Sequence, residues 1–303
     1  MRNAFAKNIT KLAIKNKKII LLSGDIGNKL FDEFKKNCPN QFYNCGVAEN
    51  NMVGVASGLA KLGFIPFVYT ITPFLVARSY EQIKIDVCYP NLGVTIVGTG
   101  AGLSYSRLGP THHSLDDLSL MQSIPNIRIL CPGDSIEVEA LLEQTVKKIA
   151  PTYFRLGKKG EPLINTSKKK IKIGKANLIR KGKDVLVICV GNTIAIGKSL
   201  NQPLEKKRIK STILSYHTIK PINFKELENY IKNFKKIVII EEHSIHGGFS
   251  STIKNYFYKI LHNKKVIPIC APDLFLNGLG EQNEARNKLG FNTKSIIKKI
   301  LSE

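Results

Sequence analysis

No stretch of this sequence approaches the roughly 20 apolar residues that a membrane span needs. Met1 to Lys18 alternates basic and apolar residues without an apolar core or a small-residue cleavage site. A soluble, cytoplasmic protein is therefore expected. The six cysteines, Cys38, Cys45, Cys88, Cys131, Cys189 and Cys270, show no CxxC and no Cys/His metal spacing. That excludes a disulfide framework and argues for reduced thiols with no metal site on this chain. Acidic residues are scarce, 23 against 46 Lys plus Arg, for a net charge of +23. Such an excess can mark a nucleic-acid binder. Here lysine is spread through the whole chain, and clusters such as Lys168-Lys169-Lys170 lack the interleaved aromatics of a single-strand groove. Nucleic acid is not the expected ligand. A dinucleotide fingerprint is missing too, because Leu103 stands where the third glycine after Gly98 and Gly100 would fall.

What is present is an alternation of short apolar runs and helical periodicity. Lys18 to Leu22, Phe64 to Thr70, Val94 to Thr99, Ile127 to Cys131 and Thr152 to Leu156 read as strands. Helical stretches lie at about 48 to 62, 73 to 87, 115 to 123 and 135 to 149. Strands alternating with helices predict a parallel sheet covered on both faces, with ligands at the carboxyl ends of the strands. After Arg155 the composition shifts to Gly157-Lys158-Lys159-Gly160 and then to Asn165-Thr166-Ser167-Lys168-Lys169-Lys170, a linker pattern. A second α/β unit follows, with strands at Val185 to Val190, Ser211 to Ser215, Lys236 to Glu241 and Val266 to Cys270. At 303 residues the chain can bury two cores, and the expected domains are 1–164 and 165–303.

One carboxylate stands out. Glu49 opens a helix otherwise made of small and apolar residues, Met52, Val53, Val55, Ala56, Leu59 and Ala60, which predicts burial on nearly all sides. Gly54 and Gly58 would let another backbone approach. Glu49 is either satisfied by the helix dipole or functional. Asp25, at the exit of the first strand, is either a turn residue or faces a pocket. A long glycine-rich loop leads to Gly109-Pro110-Thr111-His112-His113, where an imidazole could exchange protons near neutral pH. These histidines could equally be a solvent-facing pair or a helix cap. Arg155, in a strand, could fork an anion or make a salt bridge.

The order of these elements carries more than any one of them. Gly-Val-Ala-Glu49-Asn-Asn-Met, Phe74 through Arg78 to Glu81-Gln82-Ile83, Gly109-Pro110-Thr111-His112, Arg155, and Glu241-Glu242-His243 with Gly247-Gly248 together resemble the C-terminal half of transketolase, over essentially the whole chain. The resemblance implies an α/β fold of two domains: a thiamine diphosphate pyrimidine-binding domain and a transketolase C-terminal domain. It assigns Glu49 to the pyrimidine ring nitrogen, where sharing a proton favours the imino tautomer and hence the nucleophilic ylide. Phe74 would stack on the pyrimidine, with Asp25 and Ile71 lining the cofactor site. His112 would assist proton transfer to substrate oxygens, beside His113, Arg155, Leu108 and Gly100 as substrate-facing positions.

The same resemblance implies a partner. Gly24-Asp25-Ile26 followed by Asn50-Asn51 is no acceptable metal-diphosphate motif, since Ile26 replaces the glycine that close approach to phosphate requires. The diphosphate and its Mg2+ or Ca2+ would then be held by a separate N-terminal subunit, in a heterotetramer, and the chain would also dimerise through its pyrimidine-binding domain. Leu108 stands where sugar-phosphate transketolases have an Asp, Gly100 where they have a substrate His, and Ile71 and Ala77 replace pocket aromatics. The ketol transfer would therefore serve central sugar-phosphate metabolism or, as Leu108 and Gly100 favour, a nucleotide-linked or polysaccharide-precursor sugar. The competing readings are the beta subunit of a 2-oxo-acid dehydrogenase first component, against which Gly-Pro-Thr-His-His counts, and a non-catalytic partner that retains the fold.

Overall fold

Runs of apolar and β-branched residues without alternation form strands buried on both faces. Ile19–Ser23 (β1), Thr95–Thr99 (β4) and Thr152–Leu156 (β6) are each buried at all five positions. With Phe42–Asn44 (β2), Ile65–Ile71 (β3) and Arg128–Leu130 (β5) they build a parallel sheet in the computed structural model of the chain, which describes residues 1–27, 29–158 and 160–302. Lys159 of the expected linker and the terminal residue 303 lie outside the described residues.

With Thr218–Lys220 (β10) at one edge, the strand order is β10-β5-β6-β4-β3-β1-β2. From β1 the chain moves to β2 on one side and then to β3 on the other. That reversal opens a crevice at the carboxyl ends of β1 and β3, where ligands of open α/β sheets bind. A second sheet is formed by Asn177–Arg180 (β7), Val185–Cys189 (β8), Ser211–Ser215 (β9), Lys236–Ser244 (β11) and Lys265–Ala271 (β12), in the order β12-β11-β8-β9-β7. It is parallel apart from β7, which pairs antiparallel with β9.

Three strands, β2, β7 and β10, escape the periodicity reading because each is only three or four residues long. β10 comes from the second half of the chain yet pairs antiparallel with β5 of the first sheet. The helix expected at about 73 to 87 is also interrupted. Thr72–Arg78 ends at Ser79, and Ile83–Cys88 is a π-type turn, a form frequent near functional sites. The break leaves the Arg78 carbonyl to accept a hydrogen bond from Asn50 Nδ2 at 2.9 Å.

The Glu49–Lys61 helix buries one face, Glu49, Met52, Val53, Ala56 and Ser57. Burial on nearly all sides is not found, because the helix packs on the sheet and on the segments between Thr72 and Cys88 and leaves its opposite face open. Val55 is exposed, and a Cβ on Gly54 or Gly58 would meet nothing within 4 Å.

The two halves share one apolar core, in which Leu118, Met121, Ile129 and Tyr153 pack in one cluster with Leu186, Leu214, Tyr216 and Phe249. Polar staples cross the same boundary. Asp134 accepts from the backbone N–H groups of Ile164 and Asn165 at 3.0 and 2.7 Å. Glu137 accepts from Asn177 Nδ2 at 2.8 Å and Ser215 Oγ at 3.0 Å. His217 is buried beside them. Its Nδ1 meets the Thr218 hydroxyl at 3.0 Å, while its Nε2 has no hydrogen-bond partner among the described residues.

Burial pushes the His217 imidazole below its ordinary pKa, partly opposed by Glu137. As pH falls below about 6.5 the unfolded chain gains a proton at this histidine before the folded chain does. The stability is therefore full above that pH and declines as pH falls toward the depressed folded value. Urea unfolding from about pH 7.5 to about pH 5.5 should show this decline, and His217→Gln should make it shallower.

Candidate active site

The side chains at the carboxyl ends of β2, β3 and β4 form a continuous series. Glu49, 3% exposed, opens its helix after β2. Its Oε2 accepts from Arg78 Nη1 at 3.2 Å. The Arg78 guanidinium lies over the Phe74 ring, 4.5 Å from the centroid, as residues four apart on one helix face allow. Phe74 meets the His112 ring edge-on, with centroids 5.1 Å apart and planes at 73°. Thr72 Oγ1 donates to the Thr99 carbonyl at 3.0 Å and ties the start of the Phe74 helix to the end of β4. Gln82 receives a second bond from Asn50 Nδ2 at 3.2 Å.

The loop carrying His112 closes on itself. Gly102 and Ser114 exchange backbone hydrogen bonds at 3.0 and 3.1 Å. Gly102 has φ 64°, and a Cβ there would lie 2.4 Å from Glu242 Oε2, so only glycine fits. Glu242 in turn accepts from Leu103 N at 3.1 Å and from Arg286, which anchors the loop to the second sheet. His112 Nδ1 lies 2.9 Å from the Thr111 hydroxyl. Burial, and secondarily the nearby His113, hold the His112 pKa below its ordinary value.

Other sequence-predicted positions fall differently. Asp25 sits exposed at the end of β1 with φ 56° and accepts from Asn44 Nδ2 at 2.9 Å. Ile71 ends β3, half-buried, immediately before the Phe74 helix. Leu108 is exposed on the rim. The Gly100 backbone is covered by the Tyr105 ring. His113 is turned inward, with Nε2 3.0 Å from the Ser106 carbonyl, so it braces the loop instead of facing substrate.

Arg155 is likewise not an anion fork. It is buried, its Nε and Nη2 bind Asp117 at 2.6 and 3.0 Å, and Nη2 also donates to the carbonyls of Ser114 and Glu242. Burial alone would raise the Asp117 pKa, but the Arg155 charge and hydrogen bonds hold it below the usual carboxylate range. Sequence reasoning overlooked Arg78 as the partner of Glu49, although its spacing from Phe74 is a readable signal. It also overlooked Tyr105 and Lys158, which no periodicity marks.

A buried acid, an aromatic face and a loop histidine thus come together at the carboxyl ends of a doubly wound sheet. Residues 1–161 match the transketolase pyrimidine binding domain and residues 174–296 the transketolase C-terminal domain, and the chain belongs to the transketolase family, whose members are transferases. Within it, the chain is 31% identical over its whole length to 96% of a Methanocaldococcus jannaschii protein provisionally named a transketolase C-terminal section. It is 32% identical, over 83% of its length and 81% of the relative's, to one of the subunits of an apulose-4-phosphate transketolase from Phocaeicola vulgatus. A solved structure described as a split-gene transketolase, inactive β4 tetramer, superposes with a TM-score of 0.88 at 28% identity, over 99% of this chain and 96% of that one.

Because the Arg155–Asp117 pair is interior, Arg155→Met should leave a buried charge unpaired and destabilise the chain by about 3 to 5 kcal/mol in urea unfolding. Removing both charges in Arg155→Met/Asp117→Asn should recover part of that loss.

Proposed function

We propose that this chain is the C-terminal subunit of a two-chain, thiamine diphosphate-dependent transketolase that moves a two-carbon ketol or acyl unit from a ketose-type donor to an aldehyde or ketone acceptor. The observation that carries the reading is the unbroken series Glu49, Arg78, Phe74, His112 at the strand ends. The residues present fit half of the cofactor. A buried carboxylate beside a partly open aromatic face suits the pyrimidine ring, and Asp25 and Ile71 border the same crevice. The diphosphate and its Mg2+ or Ca2+ belong, in this reading, to the N-terminal partner subunit. Support for such a partner comes from the relatives that are themselves parts of split transketolases.

When bound, thiamine diphosphate supplies the carbon nucleophile and the electron sink for carbon–carbon bond cleavage and formation. Glu49 holds a proton at the pyrimidine nitrogen, and Arg78 orients the carboxylate through Oε2. Phe74 offers the stacking face. His112, with Nδ1 on Thr111, keeps Nε2 for proton exchange with a substrate oxygen. Its lowered pKa keeps it neutral and able to accept a proton at pH 7. That ability is lost as pH falls through the depressed value, so the acid limb of activity lies below about pH 6.5.

Self-association uses the exposed apolar surface around the Glu49 helix. Tyr43, Val47, Val55 and Leu62 are exposed there, beside a groove of about 630 Å³ lined by Ile20, Cys45, Leu59 and Phe64. Two copies with two N-terminal subunits would make a heterotetramer with two sites, a closed two-fold arrangement. The substrates are small sugars, and the altered Leu108 and Gly100 positions favour a nucleotide-linked or polysaccharide-precursor sugar over the ordinary sugar phosphates.

Glu49→Gln in the assembled complex should keep the unfolding midpoint and lower turnover by at least about two orders of magnitude. Wild-type turnover would reject the role of Glu49. Calorimetry on the chain alone should detect weak thiamine diphosphate binding or none. Tight, magnesium-dependent binding by the single chain would show that Gly24-Asp25-Ile26 holds a diphosphate after all.

A further inference from the structure

Strand β11 ends in Glu242-His243-Ser244, and these three consecutive residues hold both ends of the loop that carries His112. At the entry, Leu103 N donates to Glu242 Oε2 at 3.1 Å. At the exit, Ser244 N donates to the Leu115 carbonyl at 2.7 Å. Just beyond it, His243 Nε2 accepts from Ser119 N at 3.3 Å. The apolar side chains follow the same plan. Leu103 is fully buried in the core of the second sheet with Val187 and Ile240, and Leu115 packs against that cluster. Both ends of the loop are therefore anchored on the second sheet, although the loop follows β4 of the first.

From the entry anchor a run of turn hydrogen bonds leads to the imidazole. Ser106 N donates to the Leu103 carbonyl at 3.0 Å, Gly109 N to the Ser106 carbonyl at 3.1 Å, and His112 N to the Gly109 carbonyl at 3.0 Å. Leu103 thus has its N–H on the Glu242 carboxylate and its carbonyl at the start of that run. Glu242 is 1% exposed, and its carboxylate is itself held by Arg286 Nε and by Gln282 Nε2 at 3.1 Å. A hydrogen bond to an ionised acceptor is about twice as strong as a neutral one. A buried ion pair is often no more stabilising than apolar residues of the same volume. What this one supplies is a fixed acceptor for Leu103.

Resting on the transketolase reading, we propose that Glu242 is a positioning residue for proton exchange at His112: from the second domain it fixes Leu103, and through the Leu103, Ser106 and Gly109 turns it sets where the imidazole meets the substrate oxygen. The second domain then takes part in turnover through the loop it holds.

A single substitution at Glu242 would strand the Arg286 charge, so the test uses variants in which both charges are gone. Glu242→Gln/Arg286→Met keeps a side-chain oxygen for Leu103 N, and Glu242→Met/Arg286→Met removes it at similar volume. On the chain alone, amide hydrogen exchange at Leu103, Ser106, Gly109 and His112 should be at least about tenfold faster in the second variant than in the first, at closely similar urea midpoints. Gly102→Ala, which drives a methyl group against Glu242 from the loop side, should speed exchange at the same residues. Equal exchange in the two double variants overturns the proposal.

In the assembled complex, ketol transfer from D-xylulose to glycolaldehyde reads turnover. The variant without the acceptor should lower kcat about ten- to a hundredfold at nearly unchanged KM, the scale for a catalytic group displaced by about 1 Å, and the variant that keeps it should retain most of the activity. In a His112→Ala background the same two variants should differ by less than about twofold, because a residue that acts through His112 has nothing left to position. A kcat loss of equal size with and without His112 marks Glu242 as structural only and overturns the proposal. A wild-type complex that makes no erythrulose counts against the transketolase reading, and the exchange measurement on the chain alone still decides whether Glu242 sets the loop.

Discussion

The buried Arg155–Asp117 ion pair is the contact on which the site geometry depends. Asp117 opens a short helix just past the loop that carries His112, Arg155 lies in the interior strand β6, and the guanidinium also reaches the carbonyls of Ser114 and Glu242. One side chain therefore fixes the base of the loop, the first sheet and the second sheet together. Two opposite charges taken out of water are tolerable only when both are fully hydrogen-bonded. Tyr153 supplies one of the remaining bonds, donating to Asp117 at 2.6 Å. With that anchor in place, the loop from Gly102 to Ser114 can carry irregular backbone and still hold His112 against Phe74.

The rest of the candidate site is asymmetric. One wall is built from Glu49, Arg78 and Phe74 on elements that follow β2 and β3. Beside it lies an exposed apolar surface around Val55, with open space over Gly54 and Gly58. A patch of that kind on one face of a chain marks an interaction surface. The fold thus presents the Glu49 carboxylate and an exposed apolar face on the same helix.

Much of this was legible in residue order. Strand cores such as Thr152–Leu156 and Ser211–Ser215 were readable because uninterrupted apolar runs have few alternatives. The burial of Glu49 followed from a lone acid opening a helix of apolar neighbours. The sequence left open whether Arg155 forks an anion or makes a salt bridge, because a charged residue in a strand looks the same whether its partner is a ligand or a distant carboxylate. Asp117 is 38 residues from Arg155 in sequence, and nothing local announces the pairing. β10 was missed for a related reason, since three residues acquire strand character only when β5 is beside them.

What the sequence determined alone was the layer plan, two mainly parallel sheets with helices on both faces, and the identity of the residues able to do acid–base and stacking chemistry. Both depend on local pattern and on side-chain type. Only the tertiary structure decided which polar groups face the crevice and which are sealed inside. That choice depends on contacts between segments tens to more than a hundred residues apart, such as Leu103 with Glu242 or Ser119 with His243. It also decided that Tyr105 rests on Gly100 beneath Lys158. A glycine read in sequence shows only that a side chain is missing, and the folded chain shows what occupies the space it leaves.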